Sequence, residues 1–503
     1  MALERDETCL QWIDGKEVPA LDGGVFEVEN PATGETIFEV ARGQADDVEA
    51  AVAAARAAAD HGTWPSMHQR ERGAILRRAA ALLRERSSTI ARIETLSIGR
   101  PLREMSQQVA RAPDWLDYFA SVAEAHQDAV VPAVGELFNY VRRVPLGVIG
   151  QITPWNHPLL IAMKKVAPAL ATGNTVVVKP SELAPVAVLE FARALVDAGV
   201  PDGVINVVTG FGAESGRALS ESTDINRIEL TGGTATGRKV AEAAGRNLIP
   251  VQAELGGKAP VLVFDDVSVD VAVAGAMFAA FVASGQSCIA GTRLVVQRTH
   301  LDAFVDKLVT RAKGIRVGDP MEEATQMGPM ASRQQLERVL SLVNSAKADG
   351  ATVCAGGEQA TVPTREGGHY VPPTVLTNVT PEMRIMQEEV FGPVVTVETF
   401  DDEQEAIALA NRGDYGLGAA IWTNDLRRAH VVARSLKAGT VWINDHHRID
   451  PSSAWGGFKD SGIGSENGVA AFDDYTAQQS ILVNLNRESF DWFGDDRRDL
   501  RYS

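Results

Sequence analysis

The sequence predicts an α/β protein, with apolar strands and helices alternating around two parallel sheets and a small strand element lying outside them. Three observations predict it. From about residue 144, short strands rich in β-branched residues alternate with helical segments, as in a parallel sheet covered on both faces. The alternation starts again at residue 258. Two stretches, "AVVPAVGELFNYVRRVP" (129–145) and "AQQSILVNLN" (477–486), instead alternate apolar and polar residues, as edge strands do.

Each element follows from local chemistry. Residues 45–60, "ADDVEAAVAAARAAAD", open on acidic capping residues and continue alanine-rich, so they form a helix. Residues 69–96 space apolar side chains by three and four with arginines opposite, which predicts an amphipathic helix pair. "VPLGVIGQITP" and "TVVVKPSE" are buried strands, and "PVAVLEFARALVDAGV" is a helix stopped at a glycine. "VINVVTG" and "RIELTGG" are strands, and "TATGRKVAEAA" is a helix. In the second half, "KAPVLVFDD", a long helix, "TRLVVQ" and "HLDAFVDKLVTRAK" repeat the pattern. That helix belongs to the longest apolar stretch, Val271 to Ser284. It is shorter than the roughly 20 residues that span a bilayer, so it is expected to be a buried helix. In such folds chemistry sits at the strands' C-terminal ends or in the crevice between the two layers.

A chain of 503 residues exceeds one ordinary core and predicts two or three domains. With 45% apolar and 23% charged residues it has a soluble globular composition. A net charge of −18 argues against nucleic-acid binding, which needs a basic face. The N-terminus, "MALERDETCLQW", lacks the apolar core of a secretory signal. Only three cysteines occur, Cys9, Cys288 and Cys354, without CxxC or metal-ligand spacing. They fit a reducing cytoplasm and exclude a disulfide framework, and no metal site is expected. Exposed alternating strands invite pairing with another copy, so an oligomer is expected.

Cys288 stands among small residues in "SGQSCIAGTR", where it is either packing material or a reactive thiolate. Other residues bear on the choice. Glu254 lies 34 positions earlier in "QAELGGK", between an apolar strand and two glycines. Asn156 sits in the proline-bounded turn "TPWNHP", Lys179 and Glu182 end the strand "TVVVKPSE", and Glu389 precedes a Phe-Gly-Pro turn in "EEVFGP".

With "TPWNHPLLIAMKKVAPALATGNTVVVKPSE", "ELTGGTATGRKV", "QAELGGKAPVLVF", "FVASGQSCIAGTR", "EEVFGPV" and "WGGFKDSGIGSE" in that order, the chain resembles the aldehyde dehydrogenase superfamily. The similarity is to the NAD(P)-dependent, non-CoA-acylating branch and runs from about residue 10 to 485. It implies a Rossmann-like NAD-binding domain (1–122 and 146–254) and an α/β catalytic domain (255–462). A bridging and oligomerisation element with the C-terminal tail (123–145 and 463–503) completes the architecture, and a homodimer or homotetramer is implied. The tail, "RESFDWFGDDRRDLRYS", is acidic and aromatic.

The resemblance also implies roles. Cys288 adds to the aldehyde as thiolate, and the Asn156 amide with the Cys288 backbone N–H holds the oxyanion. Glu254 is the general base that activates water against the thioester, and its presence separates this chain from CoA-acylating relatives. Lys165 and Glu466 match positions used in proton movement. For the cofactor, Ile152, Thr153, Pro154, Trp155, Ser181, Gly212, Gly232, Gly233, Thr234, Gly237 and Leu255 form the expected cradle. Its phosphate end lies where "TGGTATG" opens a helix after a strand, and Gly233 replaces a frequent serine. Lys179 matches the ligand of the adenine ribose, Glu389 that of the nicotinamide ribose, and Phe391 packs near the nicotinamide. Glu182 accepts from ribose hydroxyls and would repel a 2′-phosphate, so NAD is expected rather than NADP.

For the substrate pocket the expectation is His157, Lys164, Ser287, Ile289, His447, Arg448 and Trp455. "AWGGF" is similar to betaine- and amino-aldehyde enzymes, which ring a cation with aromatics. Lys164, where tryptophan is common, would repel a quaternary ammonium. With His446, His447 and Arg448 it is expected to make a polar, partly basic mouth for a carboxylate-bearing semialdehyde or a substituted aromatic aldehyde. The alternatives are a broad-range aliphatic or a betaine- or amino-aldehyde enzyme and, more remotely, a non-catalytic structural or binding member.

Overall fold

The computed structural model describes residues 8–363, 365–485 and 493. The expectation for the tail falls on residues 487–503, which apart from Phe493 lie outside the described residues.

Helices at 45–61, 69–85 and 87–98 form where the alanine-rich and arginine-flanked segments predict them. A further helix, α1 (Leu102–Arg111), follows Pro101. The first sheet then takes five parallel strands, β1 (Val148–Ile152), β2 (Thr175–Lys179), β3 (Ile205–Val207), β4 (Arg227–Thr231) and β5 (Val251–Glu254). Their spatial order is β3-β2-β1-β4-β5, so the direction of winding reverses between β1 and β4, where open α/β sheets bind ligands. The strands are almost wholly buried, which explains their continuous apolar character. Between β1 and β2 runs α2 (Pro158–Ala171), with proline in its first turn and every residue buried. Lys164 and Lys165 are therefore inside the protein. After β4 comes α3 (Thr234–Arg246), capped by Gly233.

The second sheet contains β6 (Pro260–Val263) and β7 (Arg293–Gln297), flanked in parallel by strands at 374–377, 394–400, 418–422 and 440–443. Between β6 and β7 runs α4 (Val269–Phe281). Here the expectation of a buried helix needs correction. Val271 is 51% and Phe278 50% exposed, so α4 buries one face only. Apolar all round, its sequence cannot show which face stays open. A short strand at 462–463 returns to the first sheet and pairs antiparallel with β5, setting Gly462 opposite Glu254.

The two alternating stretches form a separate three-stranded sheet. Residues 476–484 pair antiparallel with 137–145, whose other edge takes 129–131. Val130, Leu137, Phe138 and Leu482 lie exposed on it. Among the described residues, no helix is long and apolar enough to cross a membrane.

Candidate functional site

A cavity of about 680 Å³ opens beside the C-terminal end of β5. Cys288 and Glu254 both line it, with His157, Lys164, Ser287, Ile289, His447, Arg448 and Trp455. Residues from α1, α2, α4 and the 447–455 loop complete the wall.

The loop that carries Cys288 is strained. Ala283 and Ser284 hold left-handed backbone, at φ 55° and 54°, before Gly285 at φ 68°. Each non-glycine residue there costs about 1–2 kcal/mol, and surrounding contacts hold the loop. The Ala283 N–H donates to Glu104 Oε2 at 3.1 Å and the Ser284 hydroxyl to the Gly328 carbonyl at 3.0 Å. Ala331 N–H donates to the Gln286 side chain at 2.9 Å. A Cβ at Gly257 would lie 2.0 Å from the Cys288 carbonyl oxygen, so only glycine lets the "ELGG" turn close on the cysteine. Burial first, then the Glu389 charge, pushes the Cys288 thiol up to about 12, against an opposing pull from Lys164. The sulfur therefore rests as a thiol and needs a base.

Glu254 ends β5, buried. Its Oε1 accepts from the Gln252 amide at 3.1 Å, while Oε2, also buried, has no partner among the described residues. Burial raises its affinity for protons and the neighbouring Glu466 charge adds to this; Lys164 and Lys165 oppose without prevailing. An acceptor held ready beside the cavity is what a general base needs.

Glu466 and Trp455 face each other across a backbone bridge, each N–H donating to the other's carbonyl, at 2.8 and 2.6 Å. Into that bridge α2 sends two ammonium groups. Lys165 pairs with Glu466 and donates to Gln252 at 3.1 Å. Lys164 pairs with Glu466 at 2.9 Å and lies 4.5 Å from the Trp455 ring centroid. Burial alone would make Glu466 a weak acid, but the two lysines outweigh it and hold the carboxylate ionised.

Asn156 arrives differently from the expectation. Its amide donates to the Gln286 carbonyl at 3.0 Å, which ties it to the cysteine loop, but it is not part of the cavity's lining. One N–H is spent there, and the second has no acceptor among the described residues.

The basic mouth expected from Lys164, His446, His447 and Arg448 is not formed. Lys164 is deep and paired. His446 bonds the Ile289 carbonyl and His447 the Ala279 carbonyl. Burial, foremost, lowers both imidazoles' pKa and leaves them neutral. Arg448 pairs with Asp445 at 2.8 Å. His157 is also pushed well down, by burial and then by Arg100.

A second cluster gathers at the ends of β1, β2 and β4. Lys179, nearly fully buried, faces Glu182 at 3.3 Å. The free N–H groups of α3's first turn open beside Gly233, where a Cβ would meet nothing within 4 Å, as at Gly212. Ile152 ends β1, Thr153, Pro154 and Trp155 follow it, and Gly232 and Thr234 flank Gly233. Trp155 and Phe391 stack edge-to-face at 5.2 Å. Glu389 accepts from the Gly257 N–H at 2.9 Å and is pushed up to about 7, chiefly by burial. Gly237 serves packing, since a Cβ there would lie 2.4 Å from Leu255. The Ser181 hydroxyl accepts from the Leu183 N–H at 3.3 Å.

Residues of α1, and Arg100 just before it, were missed from sequence. Arg100, Arg103, Glu104, Gln107, Gln108 and Arg111 all line the cavity. The signal was the four-residue spacing within "RPLREMSQQVAR".

Comparisons with known proteins fit this geometry. The aldehyde dehydrogenase family profile matches residues 19–481. The chain is 43% identical to a betaine aldehyde dehydrogenase of Sinorhizobium fredii over 477 residues, 95% of this chain and 97% of that protein. An aldehyde dehydrogenase from Bacillus cereus, solved with NAD+, superposes with a TM-score of 0.93 at 40% identity, over 96% of this chain and 98% of that one. The betaine aldehyde dehydrogenase of Staphylococcus aureus, also with NAD+, gives a TM-score of 0.95 at 38% identity, over 98% and 97%.

Proposed function

This chain belongs to the aldehyde dehydrogenase family and is an aldehyde-oxidising enzyme; on that premise we propose how its residues use NAD and which aldehydes it takes. The carrying observation is that Cys288 and Glu254, one a resting thiol and the other a buried carboxyl pushed up to about 8, line the same cavity.

The residues present fit NAD. The first-turn N–H groups of α3, with open space at Gly233, suit a pyrophosphate. Lys179 and Glu182 offer a donor and an acceptor for ribose hydroxyls, and Glu389 offers an acceptor nearer Cys288. When bound, NAD supplies the acceptor for the hydrogen and two electrons that leave the carbonyl carbon. Glu254 takes the Cys288 proton, the sulfur adds to the aldehyde, and the remaining Asn156 N–H with the Cys288 N–H holds the oxyanion. Loss of the two electrons turns the thiohemiacetal into a thioester. Glu254, after passing the first proton to solvent, removes a proton from water, which attacks the acyl carbon, and returns it to the departing sulfur, freeing the acid and the thiol. Lys165 and Glu466 hold the charge balance behind Glu254.

Because burial raises both Glu254 and Cys288, the base and the nucleophile each gain their active, deprotonated form as pH rises. The expected kcat/KM therefore climbs from neutral into alkaline solution. A profile flat across that range contradicts the assignment.

The substrate reading follows from Lys164. Its ammonium occupies the Trp455 face on which a quaternary ammonium would otherwise rest, so a cationic substrate meets a like charge. Leu160, Phe281, Ile289 and Ile449 give the cavity an apolar part, and exposed charged side chains such as Arg103 and Arg111 line it too. An apolar segment with the aldehyde at one end and a polar or anionic group at the other fits best. Steady-state kinetics across succinic semialdehyde, a carboxylated benzaldehyde, hexanal and betaine aldehyde test this. A higher kcat/KM is expected for the carboxylated aldehydes, and a preference for betaine aldehyde overturns the reading.

The domain division given above, a cytoplasmic location and a homodimer or homotetramer belong to the same proposal. The exposed apolar residues of the three-stranded sheet support the oligomer.

A further inference from the structure

The segment from Arg100 through α1 carries two stripes of side chains, and they differ in what satisfies them. The inner stripe is Arg100, Glu104 and Gln108, four residues apart. Arg100 pairs with Glu104 at 3.2 Å and donates to Gln108 at 2.8 Å, and its Nη1 lies 2.8 Å from His157 Nδ1. Glu104 also accepts from the Ala283 N–H. The inner charges are thus mutually spent, and they fasten α1 to the cysteine loop.

The outer stripe is Arg103, Gln107 and Arg111, again four apart and exposed at the cavity. Among the described residues, neither Arg103 nor Arg111 has a hydrogen-bonding or ion-pairing partner. The acids and base nearby leave them uncompensated. Asp114 is held by Arg84 at 2.7 Å, and Arg448 is held by Asp445. Asp450 accepts from the Ser452 N–H at 2.8 Å and, among the described residues, pairs with no cation. Two free guanidinium groups therefore face one free carboxylate.

This local sign opposes that of the whole chain, whose net charge is −18. The general field repels an anion, but at physiological salt it is screened beyond about 8 Å. Within that distance the arginines decide what enters.

We propose that Arg103 and Arg111 form a collar that binds a carboxylate at the end of the substrate remote from the aldehyde, which makes ω-oxo carboxylic acids the preferred substrate class. The inference rests on the aldehyde-oxidising reading of this cavity and assigns the residues that select the acid. A guanidinium fork matches a carboxylate in plane and number of donors. Arg103 and Arg111 are exposed where Cys288 is half-buried, so the collar holds a group other than the reacting carbonyl and binds ground state and transition state alike.

The test compares adipic semialdehyde with its methyl ester, and para-carboxybenzaldehyde with its methyl ester, on the full-length enzyme with NAD. The wild type is expected to favour each acid over its ester, more so at low ionic strength. In R103Q/R111Q the KM for the acids should rise about 10-fold or more with kcat unchanged, because charge-assisted bonds are lost from binding alone. The esters should keep their KM, which shows that the variant is folded. R103K/R111K should recover part of the preference. A wild type that favours the esters or treats both alike overturns the collar, as does a variant that loses acids and esters equally. A wild type that oxidises none of the four overturns the aldehyde-oxidising reading itself.

Discussion

Cys288→Ala is expected to lower aldehyde oxidation by at least about 10⁴-fold, with dinucleotide binding and Tm preserved. The sulfur is the nucleophile on which both covalent intermediates form, and the cavity has no substitute. Cys9 is buried against the residue 39–40 strand and Cys354 sits beside Thr377 in the other sheet. Ser287 lines the cavity next door, but an unactivated hydroxyl is a far weaker nucleophile. Because Cys288 packs only partly against its neighbours, truncation costs stability on the order of 1 kcal/mol, too little to unfold the protein. NADH formation under saturating aldehyde, alongside a melting curve, checks both halves. A variant that keeps more than a per cent of wild-type turnover contradicts the role of the thiol.

Glu254→Gln carries the second large effect, a loss of about 10²–10⁴-fold in steady-state turnover. The amide keeps the shape of the carboxylate and one acceptor oxygen toward Gln252, and it removes the like-charge contact with Glu466, so folding is expected to be intact. Its lost ability to take a proton is felt twice, at the thiol and at the hydrolytic water. The second loss is the larger, because a thiol ionises on its own far more readily than water. Rapid-mix kinetics should show NADH released at up to one equivalent per site, followed by a slow phase set by deacylation. The alkaline climb in rate should flatten as well. Full turnover at neutral pH would remove Glu254 from the mechanism.

The sequence made the chemistry legible where it is local. "TPWNHP", "TGGTATG" and "QAELGGK" each sit at the end of a strand or in the turn that follows, and "SGQSCIAGTR" links α4 to β7. What stayed hidden depends on long-range closure. Nothing near Lys164 shows that it and Lys165 share a carboxylate about 300 residues away, brought over when 462–463 joins β5 and 455 bridges 466. His446 and His447 read as polar in the chain and prove to be struts, the first buried and the second half-buried, for carbonyls of Ile289 and Ala279. The α1 arginines were visible as an amphipathic pattern, but only the cavity beside them turns a solvated face into a lining. The half-exposed α4 was misjudged because composition alone carries no direction.

The most direct test is to quench the enzyme in acid during turnover with aldehyde and NAD and to map the protein by mass spectrometry. The expected spectrum shows the acyl group on the peptide containing Cys288, transient in the wild type and accumulating in Glu254→Gln. Absence of any adduct on that peptide in both proteins, while acid is still formed, would mean that the sulfur never captures the substrate.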